Sequence, residues 1–582
     1  MKPRKAVLTL GFFAFVLLLA APAFLGPPQN PDLFWHLSAG KQIVLSRSIP
    51  RADFLSWSMS GQPWTDFEWL TQAVYFLLYS KYGLAGMQAL KLFFFGGAAA
   101  FIFLLLRLYG IAAGFPAVFP LWAAALLPCL DIRADNATLF FFTAELYVLE
   151  RIRLKGTSAG ALRLFLLSLP PFIIWTNLHA GVMYGIALAV IMAAGEALHA
   201  FFRPEERTAH IKTAVAACTV AAAGAVGACV TPFGTAVYSI ALTHQADMGV
   251  LQAQIKEWMP PAFSLYQLPY WFLLFGGMLA GLSMLRQKNQ QWFPVLAFVF
   301  FGIMSLQHVR HSIFSVTTAI VLVAAAAAPY IEKYRKTAIA AGMAITVLSL
   351  FLINHLASTM KTAQPFVYVS GARGITAFLE RNSGELGKLK MFNPWAWGGY
   401  LGWRLYPSYM IYQDGRYIFH RFLPENFNAQ SSNDKWQVFL SAKSIDLALM
   451  DGESMLVEHK SAISLKNGSK KEISRPIYCY YMPKKDWALV FYGGEGDLGL
   501  LFARRATVSP QWLEENEIKI LRPLDDQAVR LMLKEKLVSP GDIERDMAIM
   551  RRNSELSPSL SEVLDFWQKV TAPSPTSRPP AL

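Results

Sequence analysis

The sequence predicts a polytopic α-helical membrane protein of about eleven transmembrane helices with a C-terminal α/β soluble domain. Three observations predict it. The 582-residue chain is 54% hydrophobic and only 16% charged, where an ordinary soluble domain carries about 25% charged residues. Long uncharged runs fill residues 6–356, whereas 357–571 mix charges, turns and scattered aromatics. Short cationic patches separate the apolar runs, so the net charge of +14 reads as a signal that orients helices, not as a nucleic-acid surface. Cys129, Cys218, Cys229 and Cys479 form no CxxC, which argues against a disulfide framework, structural zinc and dithiol chemistry.

A crossing helix needs about 20 apolar residues. Spans are predicted near 6–26, 85–109, 111–130, 137–152, 163–178, 182–202, 213–231, 268–285, 292–307, 312–331 and 337–356. The first is read as a retained span because its apolar run is longer than a typical signal-peptide core, although Ala21-Pro22-Ala23 resembles a cleavage site. Lys2, Arg4 and Lys5, then Arg107, then Arg151, Arg153, Lys155 and Arg163 fall on one side of the predicted topology. Arg203, Arg207 and Lys212, then Arg286 and Lys288, then Lys333, Arg335 and Lys336 fall on that side too. The opposite loops carry few cations, among them Arg133, Lys256 and Arg310. By the positive-inside rule the N-terminus is cytoplasmic and residues 357–571 lie outside.

Residues 1–356 are thus read as the membrane domain, with outer loops at 27–84 and 232–267. In the first loop Leu33–Val44 and Trp69–Tyr82 pattern as interfacial amphipathic helices. In the soluble domain short β-rich runs are expected at Lys390–Phe392, Met410–Gln413, Ala488–Tyr492 and Gly499–Arg504, and helices near 422–441, 509–516 and 525–536. The Pro- and Ser-rich segment 572–582 reads as a disordered tail.

Polar residues gather at the outer ends of the spans, which anchoring alone does not require. Asp32 follows the first span with His36 one helical turn on, and Asp53, Asp66 and Glu68 lie further along the same loop. A carboxylate at headgroup depth can act as general base on an acceptor hydroxyl or ligate a metal; equally, Asp32 can cap a helix while His36 packs. Asp131, Arg133 and Asp135 join spans three and four, Asn177 and His179 spans five and six, and His308, Arg310 and His311 spans nine and ten. Lys256-Glu257-Trp258 lies in the second long loop. Arg310 suits a phosphate, which a guanidinium binds bidentately, or snorkels to lipid headgroups; His179 suits catalysis or an interhelical hydrogen bond. In the soluble domain Trp395, Trp397, Gly398, Gly399 and Tyr400, followed by Asp414-Gly415-Arg416, read either as a ligand surface or as an aromatic core with a tight turn. No P-loop, GxGxxG, HExxH or GxSxG motif occurs in its required context, which argues against nucleotide hydrolysis, hydride transfer and zinc proteolysis.

With these residues in view, the chain resembles the GT-C superfamily of integral-membrane glycosyltransferases. Asp32-x-x-Trp35-His36-Leu37-x-x-Gly40, Pro50-x-x-Asp53, Gly61-x-Pro63-Trp64 and Glu68-Trp69-Leu70 resemble a widespread group of bacterial membrane proteins. Trp175-x-Asn177-x-His179-x-Gly181, Thr231-Pro232-Phe233-Gly234, Glu257-Trp258, His308-x-Arg310-His311, Trp397-Gly398-Gly399-Tyr400 and Asp414-Gly415-Arg416 fit the same group. Trp395 to Tyr400 with Asp414-Gly415 is similar in layout to the WWDYG segment of the oligosaccharyltransferase catalytic subunit, but carries no acid inside it, so Asn-x-Ser/Thr acceptor recognition is not implied.

The resemblance implies a donor sugar on a polyprenyl-(di)phosphate carrier, a glycan, lipid or protein acceptor, and a place in the bacterial inner membrane. It implies Asp32 as the catalytic or metal-binding acid, with His36, Asp53 and Glu68 beside it. Arg133, Asn177, His179, Glu257, His308, Arg310, His311, Trp395, Trp397, Tyr400, Asp414 and Arg416 become substrate-binding candidates. A Mg or Mn ion is open, with Asp32, Asp131, Asp135 and Glu257 as its candidate ligands. Two other readings stand beside the enzyme: a flippase for a lipid-linked glycan, which calls for buried charge inside the spans or an inverted repeat, and a glycan-binding scaffold.

Overall fold

The computed structural model describes residues 25–572 apart from 130, 288, 289, 332, 362–364, 456 and 495–497. The predicted first span, almost all of 6–26, and the tail from 573 lie outside the described residues. The chain forms two compact units.

The first unit comprises the segment ending at Asn30, Ala39–Arg51 and Thr65–Pro365. Among its described residues seven helices are long and apolar enough to cross a membrane: Trp69–Leu108, Ala161–Leu178, Val182–Phe202, Pro204–Gly227, Leu265–Arg286, Val309–Ile331 and Lys336–His355. Ala112–Leu126 and Trp292–Gln307 are shorter apolar helices at two further predicted spans. Helix Asp135–Lys155 covers the remaining one, but Asp135, Glu145, Glu150 and its basic last turn make it more polar than the others.

Helix Trp69–Leu108 joins the predicted interfacial segment to the following span, and its regularity breaks at Gly83 (φ 59°, ψ −147°). Only glycine adopts that backbone without cost, so the break falls where the two segments meet. The predicted amphipathic loop at 232–267 contains helices Ala236–Ala246 and Met248–Gln254 and a 3₁₀ turn at Lys256–Trp258. The core is aromatic: Phe95 stacks on Trp122 with centroids 5.2 Å apart, and Trp122 Nε1 donates to Thr317 Oγ1 at 3.2 Å. Leu166, Leu167, Val347 and Phe351 are exposed, as expected of helix faces solvated by lipid.

The second unit comprises Pro31–Ser38, Ala52–Trp64 and the segment from Phe366. Its sheet has the order β1 (Met391–Phe392), β2 (Leu447–Asp451), β6 (Gly499–Arg504), β5 (Trp487–Tyr492). β1 runs parallel to β2, and the other pairs are antiparallel. β5 is buried along its whole length, so it reads as an apolar run without alternation. Helix Ser370–Arg381 packs on β5 and β6.

A separate antiparallel hairpin joins β3 (Glu458–Ser464) and β4 (Lys470–Pro476). β2 and this hairpin add three strands to those predicted. Met410–Gln413 is not a strand but a single bridge from Ile411 to Ser56, because its backbone pairs with the Ala52–Trp64 segment and not with the sheet. The predicted 422–441 helix divides into Phe422–Gln430 and Asn433–Ala442, where the Ser432 side chain accepts the Lys435 N–H and caps the second helix. Helices Pro510–Asn516 and Asp526–Lys534 match the remaining predictions.

Two pieces of the first loop therefore fold with the C-terminal chain. Trp57 Nε1 donates to the Met391 carbonyl at 2.9 Å, and Ser58 Oγ donates to the Tyr412 carbonyl.

Candidate functional site

In the first unit the predicted charged residues converge where helices begin and end. The sequence Asp131–Asp135 precedes helix Asp135–Lys155, and His308–His311 separates helix Trp292–Gln307 from helix Ser312–Ile331. Glu257 receives two guanidiniums: Arg133 bonds its Oε2, and Arg310 Nη1 donates to its Oε1 at 2.9 Å. Asp135 stands 3.6 Å from Arg133 and 3.9 Å from Arg310, while the Arg310 guanidinium lies 5.2 Å over the Trp258 ring. Burial alone would raise the Glu257 carboxyl, but Arg133 and Arg310 outweigh it and hold its pKa down at about 2. The cluster pairs two cations with two carboxylates and presents both guanidiniums on one side chain, an arrangement that can rearrange around an arriving phosphate.

The flanking imidazoles are oriented. His308 Nδ1 lies 2.8 Å from the Trp258 carbonyl, which can only accept, so in neutral His308 Nε2 keeps the lone pair. His311 Nε2 lies 2.8 Å from the Tyr184 hydroxyl. His179 Nδ1 accepts the Gly181 N–H at 3.0 Å, which places the neutral ring's proton on Nε2, 3.5 Å from Glu68 Oε1. Trp175 Nε1 donates to Thr138 Oγ1 at 2.9 Å, and Thr138 Oγ1 lies 2.8 Å from His179 Nδ1. Asn177 accepts from Trp69 Nε1 at 2.7 Å and donates to the Ile173 and Val230 carbonyls. The spaced motif Trp175-Asn177-His179-Gly181 is thus a hydrogen-bonded knot, and the Asn177 amide is committed to helix packing.

In the second unit Asp32 opens helix Asp32–Ser46, where a carboxylate complements the helix dipole. Its Oδ1 accepts from Trp35 Nε1 at 3.2 Å. The Gly415 backbone comes so close that a Cβ there would stand 1.9 Å from Asp32 Oδ1, and one at Gly399 would stand 2.9 Å from the Pro31 carbonyl. The Gly-Gly and Asp-Gly-Arg motifs therefore form a seat for the start of this helix. His36 is buried, its ring centroid 3.7 Å from that of Trp35.

Beneath the seat, Arg416 is 2% exposed and lies 2.7 Å from Asp53 and 2.9 Å from Asp414. It stacks over Trp64 and Phe419. Burial raises the Asp414 carboxyl, and Arg416 opposes that shift. Trp397 is also buried, its Nε1 donating to the Tyr368 carbonyl at 2.8 Å. Trp395 stacks on His420, and Tyr400 meets the Phe34 ring edge-on. Trp397, Asp414 and Arg416 thus sit inside the unit, and the Trp395–Tyr400 stretch packs the aromatic interior.

Among the described residues no group of three or more His, Cys, Asp or Glu side chains could hold a metal ion. Asp131 accepts from the backbone N–H groups of Gln29, Asn30 and Ile132, and Glu257 pairs with its two arginines. Ionisable residues are not confined to helix ends. Lys91, with Asp131 as an electrostatic partner, and Glu145, packed by Trp175 and Gly185, are buried within apolar helices. Glu150 pairs with Arg153 at 2.7 Å and accepts from the Tyr109 hydroxyl at 2.9 Å. For Lys91 and Glu145 the only signal in the sequence is a lone charge in an apolar run. Tyr184 and Thr138 carry no such signal and emerge only from tertiary contacts.

No family model and no curated protein matches the chain. Solved structures do. The archaeal oligosaccharyltransferase AglB from Archaeoglobus fulgidus, in complex with an inhibitory peptide and a dolichol-phosphate, superposes with a TM-score of 0.56 at 10% identity. The match covers 94% of this chain and 86% of that one. The fold is GT-C-like.

The apo oligosaccharyltransferase of Archaeoglobus fulgidus gives a TM-score of 0.54 with the same identity and coverage. ArnT from Cupriavidus metallidurans bound to undecaprenyl phosphate is 13% identical over 88% of this chain and 100% of that one, with a TM-score of 0.47. Among the described residues the chain combines a unit holding seven long apolar helices with a C-terminal α/β unit, as the sequence predicts.

Proposed function

We propose that this GT-C-like protein transfers a sugar from a polyprenyl-(di)phosphate carrier to an acceptor outside the cytoplasm. The observation that carries this reading is the fold likeness, over 94% of the chain, to an oligosaccharyltransferase solved with a dolichol-phosphate and a peptide. The positive-inside pattern supports a cytoplasmic N-terminus, and with it a periplasmic or extracellular C-terminal unit in a bacterial inner membrane.

In the proposed reaction an acceptor hydroxyl attacks the anomeric carbon with inversion. The bond from that carbon to the carrier's phosphate oxygen breaks, and the acceptor proton passes to Asp32. In the first unit Arg310 and Arg133, which pair with Glu257, are the groups whose guanidiniums suit a phosphate. Within the first unit Glu68 and His179 stand 3.5 Å apart, and the Tyr184 hydroxyl meets His311 Nε2 at 2.8 Å. Asp53, Asp414 and Arg416 act by holding the loop that carries Asp32.

The buried Lys91 and Glu145 favour a second reading, movement of a lipid-linked glycan across the membrane. The test is mass spectrometry of lipid-linked and surface glycans in cells lacking the gene, rescued by wild type or by Asp32→Asn. Transfer predicts a missing sugar that wild type restores and Asp32→Asn does not. Full rescue by Asp32→Asn removes Asp32 from the chemistry and moves the weight to transport.

A further inference from the structure

A cleft in the second unit is lined by none of the candidate-site residues. One wall is the β3–β4 hairpin, a two-stranded sheet separate from the main one, and the other is helix Asp526–Lys534, which packs against β4. The walls are pinned together: Arg475 on β4 donates from Nε to Asp525 Oδ1 at 2.9 Å and from Nη2 to Oδ2 at 2.5 Å, just before the helix begins. Such a bidentate pair fixes both position and angle. The cleft encloses about 760 Å³, within the range of small-ligand sites.

Its lining has a definite chemistry. The residues lining it include the cations Lys460, Lys471, Arg530 and Lys534 and the carboxylates Glu458 and Glu472. Both carboxylates are already engaged, Glu472 with Lys460 at 3.5 Å and Glu458 with the Ser474 hydroxyl at 3.0 Å, and Arg530 pairs with Asp526. Among the described residues Lys471 and Lys534 form no ion pair. Between the cations lie the apolar Ile473 and Leu531 and the neutral hydrogen-bonding Gln527.

We propose that this cleft binds an oligosaccharide bearing acidic groups. The unpaired lysines answer its carboxylates, Gln527 its hydroxyls, and Ile473 and Leu531 the apolar faces of its rings. A concave site with an apolar floor suits a chain laid into it, whereas a lipid surface is met by a projecting basic patch. The inference rests on the glycosyltransferase reading in placing the ligand as acceptor or product glycan.

The experiment uses the full chain in nanodiscs of neutral lipid, with trigalacturonate as probe and maltotriose as the uncharged control of equal length, read by calorimetry. Trigalacturonate is expected to bind, more weakly as salt rises, and about tenfold more tightly than maltotriose, a difference of about 1.4 kcal/mol. Lys471→Glu/Lys534→Glu is expected to lose at least about tenfold in affinity with Tm unchanged, while Lys485→Glu, on another part of the surface, binds as wild type. Equal binding of maltotriose, no binding of trigalacturonate by wild type, or unchanged affinity in the double variant overturns the proposal. So does binding confined to nanodiscs containing anionic lipid. Asp32→Asn is expected to bind trigalacturonate normally, so a failure of the transfer mechanism leaves this result readable by itself.

Discussion

A methyl group on Gly415 would stand 1.9 Å from Oδ1 of Asp32. An alanine between Asp414 and Arg416 therefore requires a carboxylate almost four hundred positions earlier in the chain to move. The same Oδ1 accepts from Trp35 Nε1 at 3.2 Å, which limits how far the carboxylate can turn away.

Gly415→Ala is therefore expected to displace Asp32 by about 1 Å, and misplacement of that order costs roughly 100-fold in rate. Transfer should fall by about that factor while abundance stays near wild type. Turnover of a lipid-linked donor by purified wild-type and variant protein checks it, and equal rates would show that the Asp32 position is not tuned by this turn.

Arg416 should behave as a structural charge. Removing it leaves Asp53 and Asp414 buried without their partner, and breaking a buried pair costs about 3–5 kcal/mol. Arg416→Ala is expected to lower Tm sharply. Arg416→Lys should recover little, because an ammonium cannot meet two carboxylates in the plane of a fork stacked on Trp64. Thermal unfolding in detergent distinguishes these outcomes from a ligand-contact role, which would change binding and leave Tm alone.

The membrane helices were legible because length and hydropathy are properties of single segments, and Gly83 even marked the junction inside helix Trp69–Leu108. The members of the charged cluster were legible one by one, Arg133 and Arg310 between predicted spans and Glu257 in an outer loop. What the sequence could not carry was pairing. Asn177 reads as a ligand group until Trp69 and Val230 are seen to occupy its amide. The hairpin β3–β4 is half-exposed and polar on both faces, so it lacks the alternation that announces a strand. Trp397 and Arg416 look like a ligand surface because burial is a property of what packs above them.

Thr138 offers a test of the knot around His179. It accepts from Trp175 Nε1 and contacts His179 Nδ1, so Thr138→Val leaves a buried indole N–H without an acceptor. An unsatisfied buried donor costs about 1–3 kcal/mol. A Tm drop for Thr138→Val, restored by Thr138→Ser, is the expected pattern; equal stability of all three proteins would mean that the Trp175 N–H finds another acceptor.

Glu257 supplies a prediction with a sign and a pH window. In the folded protein its pKa is held at about 2, below the ordinary value of 4.5. A carboxyl depressed on folding adds stability that is fully present above the unfolded value and is lost as pH falls through the folded one. Wild type should thus exceed Glu257→Gln in stability by a constant amount above about pH 4.5, and the two should converge as pH approaches about 2. The gap comes from Arg133 and Arg310, which in the Gln variant face no charge at that position. Denaturation midpoints of both proteins across this range provide the measurement. A gap that stays constant to the lowest pH would assign the contribution of Glu257 to packing, whereas convergence shows that the two guanidiniums are held by its charge.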